Sequence, residues 1–246
     1  MGGLKVRPIR GTRPDVSRET MKPPSISIIA IDGPAGVGKT SVSRKVAEAL
    51  GYYFFSSGLI YRVIAQRLLE QGWKTGDEPR MDDLKGLMIS VGAEGKVFVD
   101  GVAVTNDLHT EAISTTASEV SARREIRALA DNIQRTTVER IGQDGTFPGV
   151  VLEGRDIGTV VFPDANHKFF LTASETIRAQ RRLAEREKLD GNEDAQTVQA
   201  AMRERDQRDS TRAVAPLVPA QDARVIDTGD HPLEGVVEIV LAGIKR

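Results

Sequence analysis

The chain has 246 residues, 39% of them hydrophobic, which is enough for one sizeable core with a small insert. A net charge of −1 excludes a global field for nucleic acid or an anionic membrane, and no apolar run is long enough to span a bilayer. The absence of cysteine excludes a disulfide scaffold, a thiolate zinc site and thiol catalysis, and it fits a reducing cytoplasm; three scattered histidines (His109, His167, His231) argue against an imidazole metal centre.

Residues 1–24 carry Gly, Pro and Arg without hydrophobic periodicity and end at Pro23-Pro24. A disordered extension is expected there, with no signal-peptide core and with Met21 as an alternative start. Ile26–Ile31 follows as a β-branched run, the pattern of a buried parallel strand. Then Gly33-Pro34-Ala35-Gly36-Val37-Gly38-Lys39-Thr40 matches G-x-x-x-x-G-K-[ST], the P-loop pattern. The helical pattern after it places Val42, Val46, Ala49 and Leu50 on one face, with Gly51 set to stop it. In that context the backbone N–H groups around Gly33–Ser41 and the helix dipole attract phosphates. Lys39 would reach the β- and γ-phosphates and the Thr40 hydroxyl would hold Mg²⁺. Nucleoside triphosphate binding is the first functional expectation.

Tyr52–Phe55 reads as a second strand, its aromatics as core, ending at Ser56-Ser57-Gly58. Ser57 is either the N-cap of the helical pattern Leu59–Gln71 or a polar group at a strand end. Between Leu84 and Asp107 three alternating runs, Ile89–Val91, Lys96–Val99 and Val102–Val104, predict a small antiparallel insert, with Asp100-Gly101 as a two-residue hairpin turn. A long helical pattern covers Ser114–Ile141. Val150–Leu152 is a third core strand, ending at Glu153-Gly154-Arg155-Asp156; Lys168–Leu171 is a fourth and Arg224–Ile226 a fifth. Helices are expected at Ser174–Leu189, Thr197–Asp209 and Leu233–Ala242. Short apolar strands alternating with helices predict an α/β fold, a parallel five-stranded sheet covered on both faces. Ligands in such sheets bind beyond the carboxyl ends of the strands, so the polar clusters should gather near the P-loop.

The arginines fall into sets. Arg62 lies one turn into its helix and Arg155 follows the third strand. Arg205, Arg208 and Arg212 share a helix face with Asp209 among them, and Arg178, Arg181 and Arg182 form another set. Each could pair with a neighbouring carboxylate in solvent, or the sets could surround a transferring phosphoryl group, whose oxygens suit the planar fork of arginine. Glu153 and Asp156 are either magnesium or water ligands beside the P-loop or members of a local salt bridge.

Four segments resemble the bacterial cytidylate kinase family: IDGPAGVGKTS, SSGLIYR, LEGRDIGTVVFPDA and RERDQRDSTRAVAPLVPA, spread from about residue 26 to 229. The resemblance implies a P-loop NTPase-type kinase domain over residues 25–246, with a nucleoside monophosphate-binding insert at about 84–107 and a helical lid at about 178–205. It implies ATP-dependent phosphorylation of CMP or dCMP in pyrimidine nucleotide metabolism, by a cytoplasmic monomer that binds neither nucleic acid nor membrane. By position, Gly33, Pro34, Ala35, Gly36, Val37, Gly38, Lys39, Thr40 and Ser41 would bind the ATP phosphates, with Mg²⁺ on Thr40 and, through water, Glu153. Arg62, Arg155 and Arg212 would bind the acceptor phosphate; Ser57, Ser118, Arg127 and Asp156 would form the cytosine pocket; Arg205 and Asp209 would reach the sugar. Lys39, Arg155, Arg212, Arg178 and Arg182 would carry the catalysis, the last two with Arg181 on or beside the lid. Many relatives have Asp where this chain has Ser56 and Glu153, and some have Gly where it has Thr40. The chemistry of cytosine agrees with this set. Its N4 amino group can donate to a carboxylate and its N3 and O2 can accept from an arginine, whereas uracil offers O4 instead of the amine. A GTPase switch is disfavoured because the guanine-reading [NT]-K-x-D run is absent.

Overall fold

A computed structural model of the chain describes residues 26–92, 95–104, 106–187 and 195–244; the expected extension at 1–24 and residues 188–194 of the expected lid lie outside them. The apolar run after Ile26 forms strand β1 (Ser27–Asp32), in which Ile28–Ile31 are all buried. Helix α1 (Lys39–Leu50) stops where expected, at Gly51 in the left-handed conformation, and β2 (Tyr53–Ser56) and α2 (Gly58–Glu70) follow. The insert is a separate sheet of β3 (Ile89–Val91), β4 (Val97–Val99) and β5 (Val102–Ala103), antiparallel in that order. Its last turn places Asp100 and Gly101 at φ 51° and 83°, with Val99 opposite Val102.

Two helices occupy the segment where one was expected: α3 (Glu111–Val120) and α4 (Arg124–Asp144). The chain turns at Ser121 and becomes extended at Arg123 (ψ 129°). Tertiary bonds take over here, because the Ser121 carbonyl accepts from Arg127 Nη1 at 3.2 Å and the Ser121 hydroxyl accepts from Arg212 Nη1 at 3.0 Å. Then come β6 (Gly149–Gly154), a π-helical turn at Ile157–Val161, β7 (His167–Thr172), α5 (Glu175–Glu187), α6 (Ala195–Thr211), β8 (Arg224–Asp227) and α7 (Leu233–Ile244).

The five long-range strands run parallel in the order β2-β6-β1-β7-β8, as a doubly covered α/β sheet should. Alternation along β1 divides the core. Ile28 and Ala30 join Phe55, Leu152 and the apolar faces of α2, α3 and α4 on one side. Ile29 and Ile31 join Val151, Phe169, Leu171, α1 and α7 on the other. The carboxyl ends of β1, β2 and β6 therefore open on one edge, β1 into the P-loop, β2 into Ser57 and β6 into Glu153–Asp156.

The P-loop starts hard against β7. A Cβ on Gly33 (φ 151°) would lie 2.2 Å from the Leu171 carbonyl oxygen, a backbone atom that cannot move alone. Gly33→Ala is expected to cost about 2–3 kcal/mol through overpacking and backbone strain and to lower the melting temperature by about 6 °C or more. Unchanged thermal melting would show that the backbone yields at no cost.

Candidate active site

Gly36 and Gly38 adopt φ 75° and 85°, letting the P-loop curl before α1 begins at Lys39. Lys39 is buried and donates from Nζ to the Pro34 carbonyl at 2.6 Å. Burial, with Arg155 and Arg205 nearby, holds its pKa well below the usual lysine value, against the opposing pull of Glu153 and Asp32. The Thr40 hydroxyl donates to Glu153 Oε1 at 2.7 Å, so a hydroxyl from the start of α1 and a carboxylate from the end of β6 meet at one point. Thr40 and Ser41 are exposed at this mouth.

The outer side of the loop is gripped by residues far along the chain. Arg178 Nη1 donates to the Ala35 carbonyl at 3.2 Å and to Asp206, and Arg178 Nε donates to the Ala173 carbonyl. Arg181 donates to the Val37 carbonyl at 3.5 Å and to Thr228, whose own hydroxyl donates to the Val37 carbonyl at 3.0 Å. Arg178 therefore backs the P-loop in this arrangement instead of facing the cleft. Of the expected lid arginines, Arg182 is the one felt by the cleft residues, and it also pairs with Glu185.

Across the cleft the remaining expected residues meet. Arg62, from α2, donates to the Leu108 carbonyl at 2.6 Å and the Ser114 hydroxyl at 2.9 Å. Ser57 does not cap α2; its hydroxyl donates to the Glu153 carbonyl at 2.8 Å and ties β2 to β6. Arg155 donates from Nε to Asp209 Oδ2 at 3.1 Å, and Arg205 and Arg212 stand about the same carboxylate at 4.0 and 3.9 Å. Ser118 donates to Asp209 Oδ1 at 3.4 Å and accepts from Arg208. Arg127 is ion-paired with Asp156, and Arg212 lies 3.5 Å from the other Asp156 oxygen. Around these two carboxylates Arg127 Nε, Arg205 Nε, Arg212 Nη2 and the Tyr61 hydroxyl are buried and form no hydrogen bond. Native proteins rarely leave so many buried donors unpaired unless a ligand takes them.

The charges are crowded. Burial, then Arg182 and Arg155, push Arg62 down to about 10; burial and Arg155 do the same to Arg205. Burial also raises Asp156 despite Arg127 and Arg212, whereas at Asp209 the effect of burial is outweighed by Arg155, Arg205 and Arg212, and its pKa falls. Lys39, Arg62, Arg155, Arg182 and Arg205 thus share a cleft with a mutual repulsion that polyanions would relieve.

Several residues that matter here have no role that a sequence pattern assigns. Asp32 ends β1 and accepts from the Ile157 and Gly158 N–H groups at 2.9 and 2.8 Å, holding the π-helical turn behind Asp156. Its sequence marks are a carboxylate at the end of an apolar run and a place just before Gly33 in IDGPAGVGKTS, and neither assigns it a role. Asp206 falls within RERDQRDSTRAVAPLVPA without a role assigned there, and Ser121, Thr228 and Asp131 are marked by nothing local, because their partners are remote in sequence.

Parallel sheet, P-loop and the arginine-lined cleft beside it are those of a P-loop phosphotransferase, a kinase. A family model described as cytidylate kinase matches residues 29–246. Proteins named cytidylate kinase from Nitratidesulfovibrio vulgaris, Pelotomaculum thermopropionicum and Yersinia enterocolitica are 36%, 39% and 37% identical to this chain over 226, 222 and 226 residues. Those alignments cover 91%, 88% and 90% of this chain and 94%, 95% and 95% of the relatives. The chain belongs to the cytidylate kinase family.

Asp32 yields a pH prediction. Burial raises its pKa from 3.8 to about 6, in spite of the two N–H groups that it accepts. A carboxyl whose folded pKa lies above its unfolded value stabilises the fold most when protonated. Its contribution should fall by about 3 kcal/mol as pH rises from about 4 through 6. Asp32→Asn cannot titrate, so the stability gap between wild type and variant, measured by urea unfolding, should move in favour of the variant by about that amount over this range. A gap independent of pH would show that folding does not raise the Asp32 pKa.

Proposed function

We propose that this enzyme transfers the γ-phosphoryl group of ATP to the phosphate of CMP or dCMP, giving ADP and CDP or dCDP. The observation that carries the reading is the buried Arg127–Asp156 pair, with Arg127 Nε, Arg212 Nη2 and the Tyr61 hydroxyl buried there without hydrogen bonds, set beside the arginine cluster that faces the P-loop. A pyrimidine with one donor and two acceptors on its edge suits that pair: N4 donates to Asp156, and N3 or O2 accepts from Arg127. Arg62, Arg155 and Arg212 are assigned to the acceptor phosphate. Arg205 and Asp209 are assigned to the sugar, and Ser57 and Ser118 to the walls of the base pocket.

The donor phosphates are assigned to Gly33–Ser41 and Lys39. Mg²⁺ fits the hard oxygen pair of Thr40 and Glu153, and when bound it supplies charge neutralisation at the donor phosphates. No protein nucleophile is needed, because an acceptor phosphate oxygen attacks the γ-phosphorus and the bond to the ADP oxygen breaks in line. Lys39, Arg155, Arg212 and Arg182 offset charge on the equatorial oxygens, and Arg178 keeps the P-loop backbone in place. The small sheet and the α5–α6 pair are suited to close over the acceptor and donor sides and exclude water. A cytoplasmic, monomeric enzyme of pyrimidine nucleotide metabolism is the accompanying reading, supported by the cysteine-free composition and family membership. Among the described residues no helix is long and apolar enough to cross a membrane.

With ATP and Mg²⁺, release of ADP should be fast with CMP or dCMP and slower by about a hundredfold or more with UMP, AMP and GMP. Equal rates with CMP and UMP would overturn the cytosine pocket. Asp156→Asn can present an amide N–H₂ to uracil O4, so the CMP-to-UMP ratio of kcat/KM should fall by about tenfold or more. An equal loss with both substrates would assign Asp156 to structure.

A further inference from the structure

Asp131 lies one turn beyond Arg127 on α4, where no expected role reaches it. Its Oδ1 is buried, makes no hydrogen bond, and stands 3.9 Å from Arg127 Nη2. That same nitrogen donates to Asp156 Oδ2. Arg127 Nη1 is anchored on the Ser121 carbonyl, and Arg127 Nε is buried without a partner. One guanidinium therefore stands between two carboxylates, bound to the first and within a small rotation of the second. The other charged groups felt by Asp131 are Asp156, Arg135 and Arg212, so the pair Asp131 and Asp156 share arginines from α4 and from the end of α6.

A bound pyrimidine alters this balance. When Asp156 accepts the base's amino group, it shares its hold on Arg127 Nη2, and the Nη2 N–H that the base does not take needs another acceptor or stays buried and unpaired. We propose that Asp131 is a positioning residue of the base pocket. It takes the Arg127 N–H that Asp156 and the base leave and keeps the guanidinium in the plane from which it donates to the base. This rests on the cytosine-nucleotide reading and deepens it: the pocket needs two carboxylates for one arginine, and the second never touches the substrate.

The test compares wild type with Asp131→Asn and Asp131→Glu, with the melting temperature of each recorded. Asp131→Asn should raise KM for CMP about tenfold while kcat and KM for ATP stay within about twofold, and calorimetric titration of CMP without ATP should show the same tenfold weakening. Asp131→Glu keeps the charge within reach of Arg127 on the same helix face and should restore KM for CMP to within about threefold of wild type. Should the Asn variant fail to fold, loss of CMP affinity in a folded Glu variant would overturn the proposal. An unchanged KM for CMP in Asp131→Asn, or an equal fall in CMP and ATP affinity, would overturn it as well. Wild-type protein that turns over no cytosine nucleotide would overturn the cytosine reading and this inference with it; turnover of CMP by an indistinguishable Asn variant would overturn this inference alone.

Discussion

Five cationic side chains, Lys39, Arg62, Arg155, Arg182 and Arg205, occupy one cleft, and burial and mutual repulsion hold the pKa values of Lys39, Arg62 and Arg205 down. Such a cluster persists only if carboxylates anchor it and the scaffold is rigid enough to resist its spreading. Asp209 is the principal anchor. It is held by Arg155 at 3.1 Å, approached by Arg205 and Arg212, and bonded by Ser118, so residues from β6, α3 and α6 converge on its two oxygens. Asp156 does the same for Arg127 and Arg212 on the far side. Positive charge is left in excess near the P-loop and balanced charge around Asp156. On the proposed function, that gradient separates phosphates from a neutral, hydrogen-bonding ring.

The sheet makes this convergence possible. All five strands are parallel, so every polar cluster that follows β1, β2 and β6 emerges at the same edge. Backbone contacts then lock the P-loop from behind. The Leu171 carbonyl presses on Gly33, and Arg178, Arg181 and Thr228 hold the carbonyl oxygens of Ala35 and Val37. The loop is thus shaped by residues more than 130 positions away as well as by its own glycines.

Much of the architecture could be read along the chain. The β-branched run before Gly33, the stop at Gly51, the Asp100-Gly101 turn and the alternation of short strands with helices are local patterns, and each became the element it suggested. The break between α3 and α4 could not be read, because Ser114–Ile141 keeps its helical periodicity throughout. Two buried guanidiniums, Arg127 and Arg212, take Ser121 as an acceptor, and Arg212 lies 91 positions away in sequence. The same limit explains Ser57. A serine before a helix suggests a cap, but a carbonyl on the neighbouring strand offered a closer partner. It also explains Arg178, which the family resemblance placed on or beside a lid and whose guanidinium found the Ala35 carbonyl of the P-loop and Asp206.

The sequence alone determined the strand–loop–helix anion site, the order of the core elements and the residue types available to meet a second phosphate, because these depend on local dihedral preference and hydrophobic period. Only the tertiary structure decided which arginines face the cleft and which grip the loop, and that Asp32 supports the turn behind Asp156. It also decided that Arg127 stands between two carboxylates. Those outcomes depend on which buried donor reaches which acceptor once distant elements pack, and no periodicity along the chain encodes that competition.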